Sequence, residues 1–217
     1  MLKWLIILLT ALLVWQFALR ETRIELGPGV HAPDTPEQQA LDSPESFAMN
    51  GYRITPLAKF RIRAKVLSRE DYRFGREADL SPLDLAFGWG RMSDEAVLRN
   101  ITISQSGRWY HWRSDSFPIP RREIETSSAN MHMVPANEQV ARQLAEVDEH
   151  DRIRIVGQLV DISAADGWRW RSSRTRTDTG NGACELVLLE QGSFQPGNVL
   201  EVSNVGQGGG CFPPDSR

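Results

Sequence analysis

Arg152-Ile-Arg-Ile-Val-Gly-Gln-Leu-Val-Asp-Ile162, then Asp166-Gly-Trp-Arg-Trp-Arg171, then Asn181-Gly-Ala-Cys-Glu-Leu-Val-Leu-Leu-Glu190, is the stretch that decides the fold. Ile153 and Ile155 alternate with charge, and the alternation changes phase at Val156-Gly157, so that Val160 and Ile162 take over the inward side. Asp-Gly and Asn-Gly supply the positive φ angles of tight hairpin turns. The stretch therefore predicts a three-strand antiparallel meander over 151–190. A glycine at a phase change predicts a bulge or bend, which lets one strand curl or serve two sheets.

Working outward, the chain has 217 residues and a formal net charge of −3, with about 140 residues of foldable character, enough for one core. No global basic excess points to a nucleic-acid partner. Cations are mostly arginine, the only lysines being Lys3, Lys59 and Lys65. That favours guanidinium chemistry with anions or aromatic faces, and codon bias would produce the same count. The only two cysteines, Cys184 and Cys211, are too few for a disulfide framework. Export would still allow that pair to clip the tail to the meander, and a small core role for Cys184 is the alternative.

At the N-terminus, Trp4–Leu19 is apolar except for Thr10 and Gln16, with Lys3 before it and Arg20 after it. Its length falls just below the usual span of about 17–25 residues. The run lacks the paired small residues of a cleavage site, so residues 1–20 are expected to be a signal-anchor helix rather than a removed signal. An anchor at this end places the globular part on the periplasmic side of a bacterial inner membrane. Residues 21–50, with Pro28, Pro33, Pro36 and Pro44, read as a tether holding at most a short helix over Pro36–Leu41. The β-rich domain is expected over 51–190, and a Gly/Pro-rich tail over 191–217.

Inside the domain, Phe60, Ile62, Ala64 and Val66 alternate with Lys59, Arg61, Arg63 and Lys65, a half-buried strand with a four-cation face. That face suits an anionic surface, or is solvated and paired with acids on the next strand. Ser81-Pro82 predicts a short helix over Pro82–Phe87, and Ser93-Asp94-Glu95 starts a helical turn. Ser106-Gly107 predicts a second hairpin, with aromatics on both faces of Arg108–Arg113, as for a central or ligand-facing strand. Arg121–Pro135 shows no clear period. Asn137 caps a helix reaching Val147, with Val140, Leu144 and Val147 at helical spacing. The fold class is thus mainly β (α+β), an antiparallel small barrel or sandwich with short helices behind one membrane anchor.

Taken together, Leu80–Gly90, Pro120–Thr126, Ser128–Pro135 and Asp166–Ser173 resemble a group of membrane-anchored bacterial proteins with no assigned activity. The resemblance spans roughly residues 58–190 and implies a topology but no chemistry. More loosely, a helix, a bent strand and a meander resemble an OB-type small barrel, which implies no particular ligand.

Candidate chemistry is limited. His111, Glu123, Glu125 and Met131-His132-Met133 could hold zinc or copper, and His111, Glu125 and His132 are the weak metal candidates. Their spacing matches no ligand motif, and Met-His-Met on a strand is equally a core pattern. Ser127 or Ser128 with His132 and Asp161 would make a hydrolase trio, without the Gly-x-Ser-x-Gly elbow. No glycine loop precedes a helix, so no cofactor is implied. A binding surface fits better. Trp168 and Trp170 share one strand face, and Arg169 and Arg171 share the other, a pattern able to stack bases or sugars while holding anions. Rings inward and arginines outward is the less costly arrangement, because buried arginines would need acids.

The function expected is a non-enzymatic, membrane-anchored binding or accessory module of an envelope complex. Its anionic partner would be met through Lys59, Arg61, Arg63, Lys65, Arg169 and Arg171. A nucleic-acid-binding OB-like barrel and an envelope hydrolase or metal-binding protein are the alternatives.

Overall fold

The computed structural model describes residues 27–175 and 184–190, and the backbone of residues 194–196. In chain order the elements begin with β1 (Glu37–Ala40), β2 (Phe47–Met49), β3 (Tyr52–Asp71), α1 (Arg76–Leu80) and β4 (Leu83–Gly88). A 3-10 turn at Gly90–Ser93 leads into α2 (Glu95–Leu98), β5 (Thr102–Ser106), β6 (Trp109–Arg113) and α3 (Arg121–Thr126). Then come β7 (Ser128–Pro135), α4 (Glu138–Ala145), β8 (Arg152–Ser163), β9 (Arg169–Trp170), β10 (Glu185–Leu189) and β11 (Phe194–Pro196). The described chain is mainly β, with a nine-stranded sheet, a two-stranded sheet and a few short helices. The expected anchor over 1–20 and Cys211 lie outside the described residues.

β3 organises the sheet. One of its edges pairs with β8 from Arg53 to Lys65, and the other takes β2, β1 and β4 in turn. Beyond β4 the order is β7 and then β10, which runs parallel to β7 and meets β8. Pairings thus lead from β3 through β4, β7, β10 and β8 back to β3. The β10–β8 link holds only two residue pairs, Val187 with Leu159 and Leu188 with Gln158, and the ladder stays short of a closed barrel.

The expected alternation on β3 and β8 decides where the core sits. Phe60, Ile62, Ala64 and Val66 face the main cluster with Ile153, Ile155 and Leu159. Ile54, Val160 and Ile162 belong to a second cluster with Val134, Leu186 and Leu188. Since side chains alternate along a strand, Leu159 and Val160 serve opposite faces of β8. The register shift lies in β3, between Pro56 and Ala58, and not at Gly157. Gly157 has another task, because a Cβ there would sit 2.5 Å from the Leu188 carbonyl oxygen. Only hydrogen at that position lets β10 approach β8.

Several expectations are corrected. Leu83–Gly88 is a strand and not a helix, buried at every position between β3 and β7. An apolar run covered on both faces shows neither period, so its cap-like Ser81-Pro82 misleads. The helix comes earlier, and the Ser81 N–H closes α1 on the Glu77 carbonyl. The meander holds for its first hairpin, where Ile162 pairs with Trp170, but β9 has two residues and β10 pairs with β7 and β8 instead. The Pro36–Leu41 helix is replaced by β1, because β3 offers Ala58–Arg61 as an open edge.

The stretch read as a tether is also fastened further upstream. Ser93 Oγ accepts from the N–H groups of His31 and Ala32, and Asp94 Oδ1 accepts from Gly29 N–H. Asp94 at the same time caps α2 through Ala96 N–H, as its sequence position predicts. Asn137 caps α4 through Val140 N–H, and Val140, Leu144 and Val147 are buried in the main cluster.

The β5–β6 hairpin forms around Gly107-Arg108, both at positive φ. It is neither central nor part of the large sheet. Tyr110 and Trp112 pack on a third cluster that includes Ala86 and Ile124, leaving Trp109 and His111 on the outer side.

Candidate functional site

The outer face of β4 and β7, opposite the main core, carries Asp84, Ser128, Asn130 and His132, and all four are buried. Buried polar groups need partners, and the β5–β6 turn supplies one. Arg108 Nη1 donates to Asp84 Oδ1 at 2.6 Å, and Nη2 donates to the Ser81 carbonyl at 2.9 Å. The guanidinium lies over the Tyr72 ring, 3.6 Å from its centroid, while the Arg108 N–H donates to the Tyr72 hydroxyl. Burial, ahead of other causes, raises that hydroxyl above its ordinary pKa. His132 stands opposite Asp84 in the β4–β7 register, with Nδ1 2.9 Å from Asp84 Oδ2. Asn130 donates to the Arg108 carbonyl and accepts from Gln105 Nε2 at 2.6 Å. Tyr110, pushed up to about 12 by burial, donates to Ser128 Oγ. The hairpin is thereby bolted across the outer face of the sheet.

Two cavities flank this bolt. One of about 390 Å³ is lined by Arg108, His132, Arg169, Trp170 and Arg171, with Trp109 and Cys184 at its border. The other, about 540 Å³, has Trp112, Arg113, Phe117, Arg121 and Glu125 among its walls and also reaches Trp109 and Cys184. With two walls in common, they form one groove running past the hairpin. Trp109 is 42 % exposed and Phe117 53 % exposed, among the few large apolar side chains left to solvent. Arg121 is committed to Glu125, and Arg108 to Asp84. Arg113, Arg169 and Arg171 are exposed and have no ion pair among the described residues.

The residues singled out in the sequence separate into three places. Arg169 and Arg171 point outward into the groove, while Trp168 and Trp170 are half-buried against the second cluster, with Trp170 4.8 Å from the His132 ring. Lys59, Arg61 and Arg63 are exposed on the distant β3–β8 face. There Arg61 meets Glu37 at 3.4 Å, and Lys59 and Arg61 line a depression that also contains Glu190. Lys65 is the exception. It is 1 % exposed and ion-paired with Glu95, because α2 lies over that end of the strand, so it does not join a cationic surface. Burial first, and the charge of Arg152 second, hold its pKa below the usual lysine value.

His111 and Glu125 line the wider cavity, and His132 lines the narrower one. No three His, Cys, Asp or Glu side chains gather as a metal site among the described residues. The hydrolase trio is not assembled either. Ser128 Oγ donates to the Ile124 carbonyl, Asp161 accepts from Ser172 N–H, and the acid beside His132 is Asp84.

Asp84, Arg108, Arg113 and Phe117 were not singled out in the sequence, whereas Trp109 was marked there as an aromatic of a central or ligand-facing strand. Two signals were there: a lone acid inside the apolar run Leu83–Phe87, and an arginine in a turn position that demands positive φ. Compared with protein families, curated proteins and solved structures, the chain finds no match.

Proposed function

We propose that this chain is a non-enzymatic binding module of a bacterial envelope complex that holds an anionic partner in the groove beside the β5–β6 hairpin. The observation that carries this reading is the set of three guanidinium groups, Arg113, Arg169 and Arg171, exposed without ion pairs among the described residues beside the open rings of Trp109 and Phe117. Unpaired arginines next to aromatic faces favour anions with flat or ring-shaped parts.

In this reading the strands β3, β4, β7, β8 and β10 make a partly open, OB-type small barrel. The long β3 paired on both edges and the parallel β7–β10 contact support that arrangement. In OB-type barrels the face of the second and third strands, framed by neighbouring loops, is the ligand surface. Here the corresponding strands are β4 and β7, the face that carries the groove. The apolar run Trp4–Leu19 would anchor the module in the inner membrane as a single pass, with the domain on the periplasmic side. Lys59, Arg61 and Arg63 form a secondary cationic face, partly offset by Glu37.

The test compares Arg169→Ala with Arg171→Ala in one variant against Trp170→Ala in another. Full-length protein is extracted in mild detergent and its envelope partners captured. The arginine variant should lose the partner and keep its urea midpoint. Trp170→Ala should lose stability, toward the lower end of the about 3–5 kcal/mol of a buried tryptophan. A stable Trp170→Ala that no longer captures the partner, beside a competent arginine variant, refutes the assignment.

A further inference from the structure

We propose that the groove takes a linear acidic polysaccharide, a chain of sugars carrying carboxylates; this rests on the reading of the groove as an anion-binding site. Three features of the walls point there. First, the site is elongated, since cavities of about 540 and 390 Å³ share Trp109 and Cys184. Such a shape suits several linked units rather than one small ion.

Second, the positive charge is sparse. Of the five arginines that line the groove among the described residues, Arg108 and Arg121 are neutralised by Asp84 and Glu125, and three remain. A polynucleotide brings a phosphate at every unit and derives most of its affinity from neutralising them. Three guanidiniums, on a chain of formal charge −3, are a poor match for that density. They are a good match for occasional carboxylates, whose two oxygens fit the guanidinium fork.

Third, the groove offers acceptors as well as donors. Glu125 and Ser114, both partly exposed, line the wider cavity. A phosphate can only accept hydrogen bonds. Sugar hydroxyls both donate and accept, so these groups have a use. The apolar face of a pyranose ring would lie against Trp109 and Phe117, whose rings are open to solvent. Neutral sugars alone would leave Arg113, Arg169 and Arg171 unemployed.

The experiment uses the full chain in detergent, with three probes of similar length: oligogalacturonate, neutral dextran and oligo(dT). Tryptophan fluorescence and gel mobility report binding, and urea midpoints confirm folding. Oligogalacturonate should bind and weaken as salt rises, and dextran should not. Arg113→Ala and Arg171→Ala should each lower affinity roughly tenfold, the scale of one charge-assisted hydrogen bond. Trp109→Ala should abolish the mobility shift, and Trp109→Phe should restore most of it. Oligo(dT) binding as tightly as the uronate, or dextran binding equally well, overturns the inference while the groove itself stands. If no probe binds but arginine-dependent capture of the envelope partner persists, the polysaccharide alone is refuted. Loss of both refutes the groove as well.

Discussion

The carboxylate of Asp84, fully removed from solvent near the start of β4, lies 2.6 Å from Nη1 of Arg108 at the tip of a hairpin in another sheet. This contact joins the β5–β6 hairpin to the large sheet and sets the groove between them. Removing one partner of a buried pair leaves an uncompensated charge and costs about 3–5 kcal/mol. Asp84→Ala strands Arg108 against Tyr72 and Ser81, so its urea midpoint should fall by that equivalent. A change below about 1 kcal/mol would mean that the hairpin is held by its apolar face alone.

Gly157 should tolerate no side chain. Its missing Cβ leaves room for the Leu188 carbonyl, and Leu189 and Val187 side chains lie 3.3 Å from the same point. Gly157→Ala must push β10 from β8, where only two residue pairs connect them. Overpacking of this kind costs about 1–3 kcal/mol. Hydrogen exchange of the β10 amides should accelerate in the variant, and unchanged protection there would count against the argument.

Asp94 predicts an acid-range effect. The Gly29 N–H first, and the Ala96 N–H second, hold its carboxyl below the ordinary 3.8. A carboxyl with a depressed folded pKa contributes stability that is fully present above its unfolded value. That contribution is lost as pH falls through the lower, folded value. In an acid titration of stability, Asp94→Asn should lack this component below pH 3.8. Asp94→Ala should also lose about 1 kcal/mol of helix capping at neutral pH. Parallel titration curves for wild type and Asp94→Asn would contradict the assignment.

Lys65 and Glu95 form a pair of a different kind. The ammonium is buried, whereas the Glu95 side chain is 24 % exposed and can be hydrated when left alone. Burying the charge therefore offsets most of what the pair contributes. Lys65→Met, which keeps the stem, should leave the thermal midpoint unchanged or raise it. A loss of more than about 2 kcal/mol would show that the ion pair outweighs its desolvation.

What the sequence determined by itself was whatever depends on neighbours within a turn or two. Over Lys59–Ala64 and Arg152–Ile155 only one strand face is buried, so the period of two survives there. Asn137, Asp94, Gly107 and the Asp166-Gly167 turn act on backbone groups a few residues away, so caps and hairpins were legible without the fold. The outward arginines and inward rings of Trp168–Arg171 followed from the cost of burying charge.

Tertiary structure decided the rest. β4 and β7 are buried on both faces, which erases the alternation that marks a strand. β10 carries five apolar or buried positions whose local signals cannot choose between pairing with β9 and lying parallel to β7. That choice depends on the approach of Leu188 to Gly157, residues far apart in the chain. Lys65 repeats the period of Lys59, Arg61 and Arg63, yet α2 covers it while the others stay in water. The groove needs Asp84, Arg108 and His132 brought together from two strands and a turn. No spacing in the sequence encodes that meeting, because its energy comes from burial and pairing across the sheet, which exist only once the chain has folded.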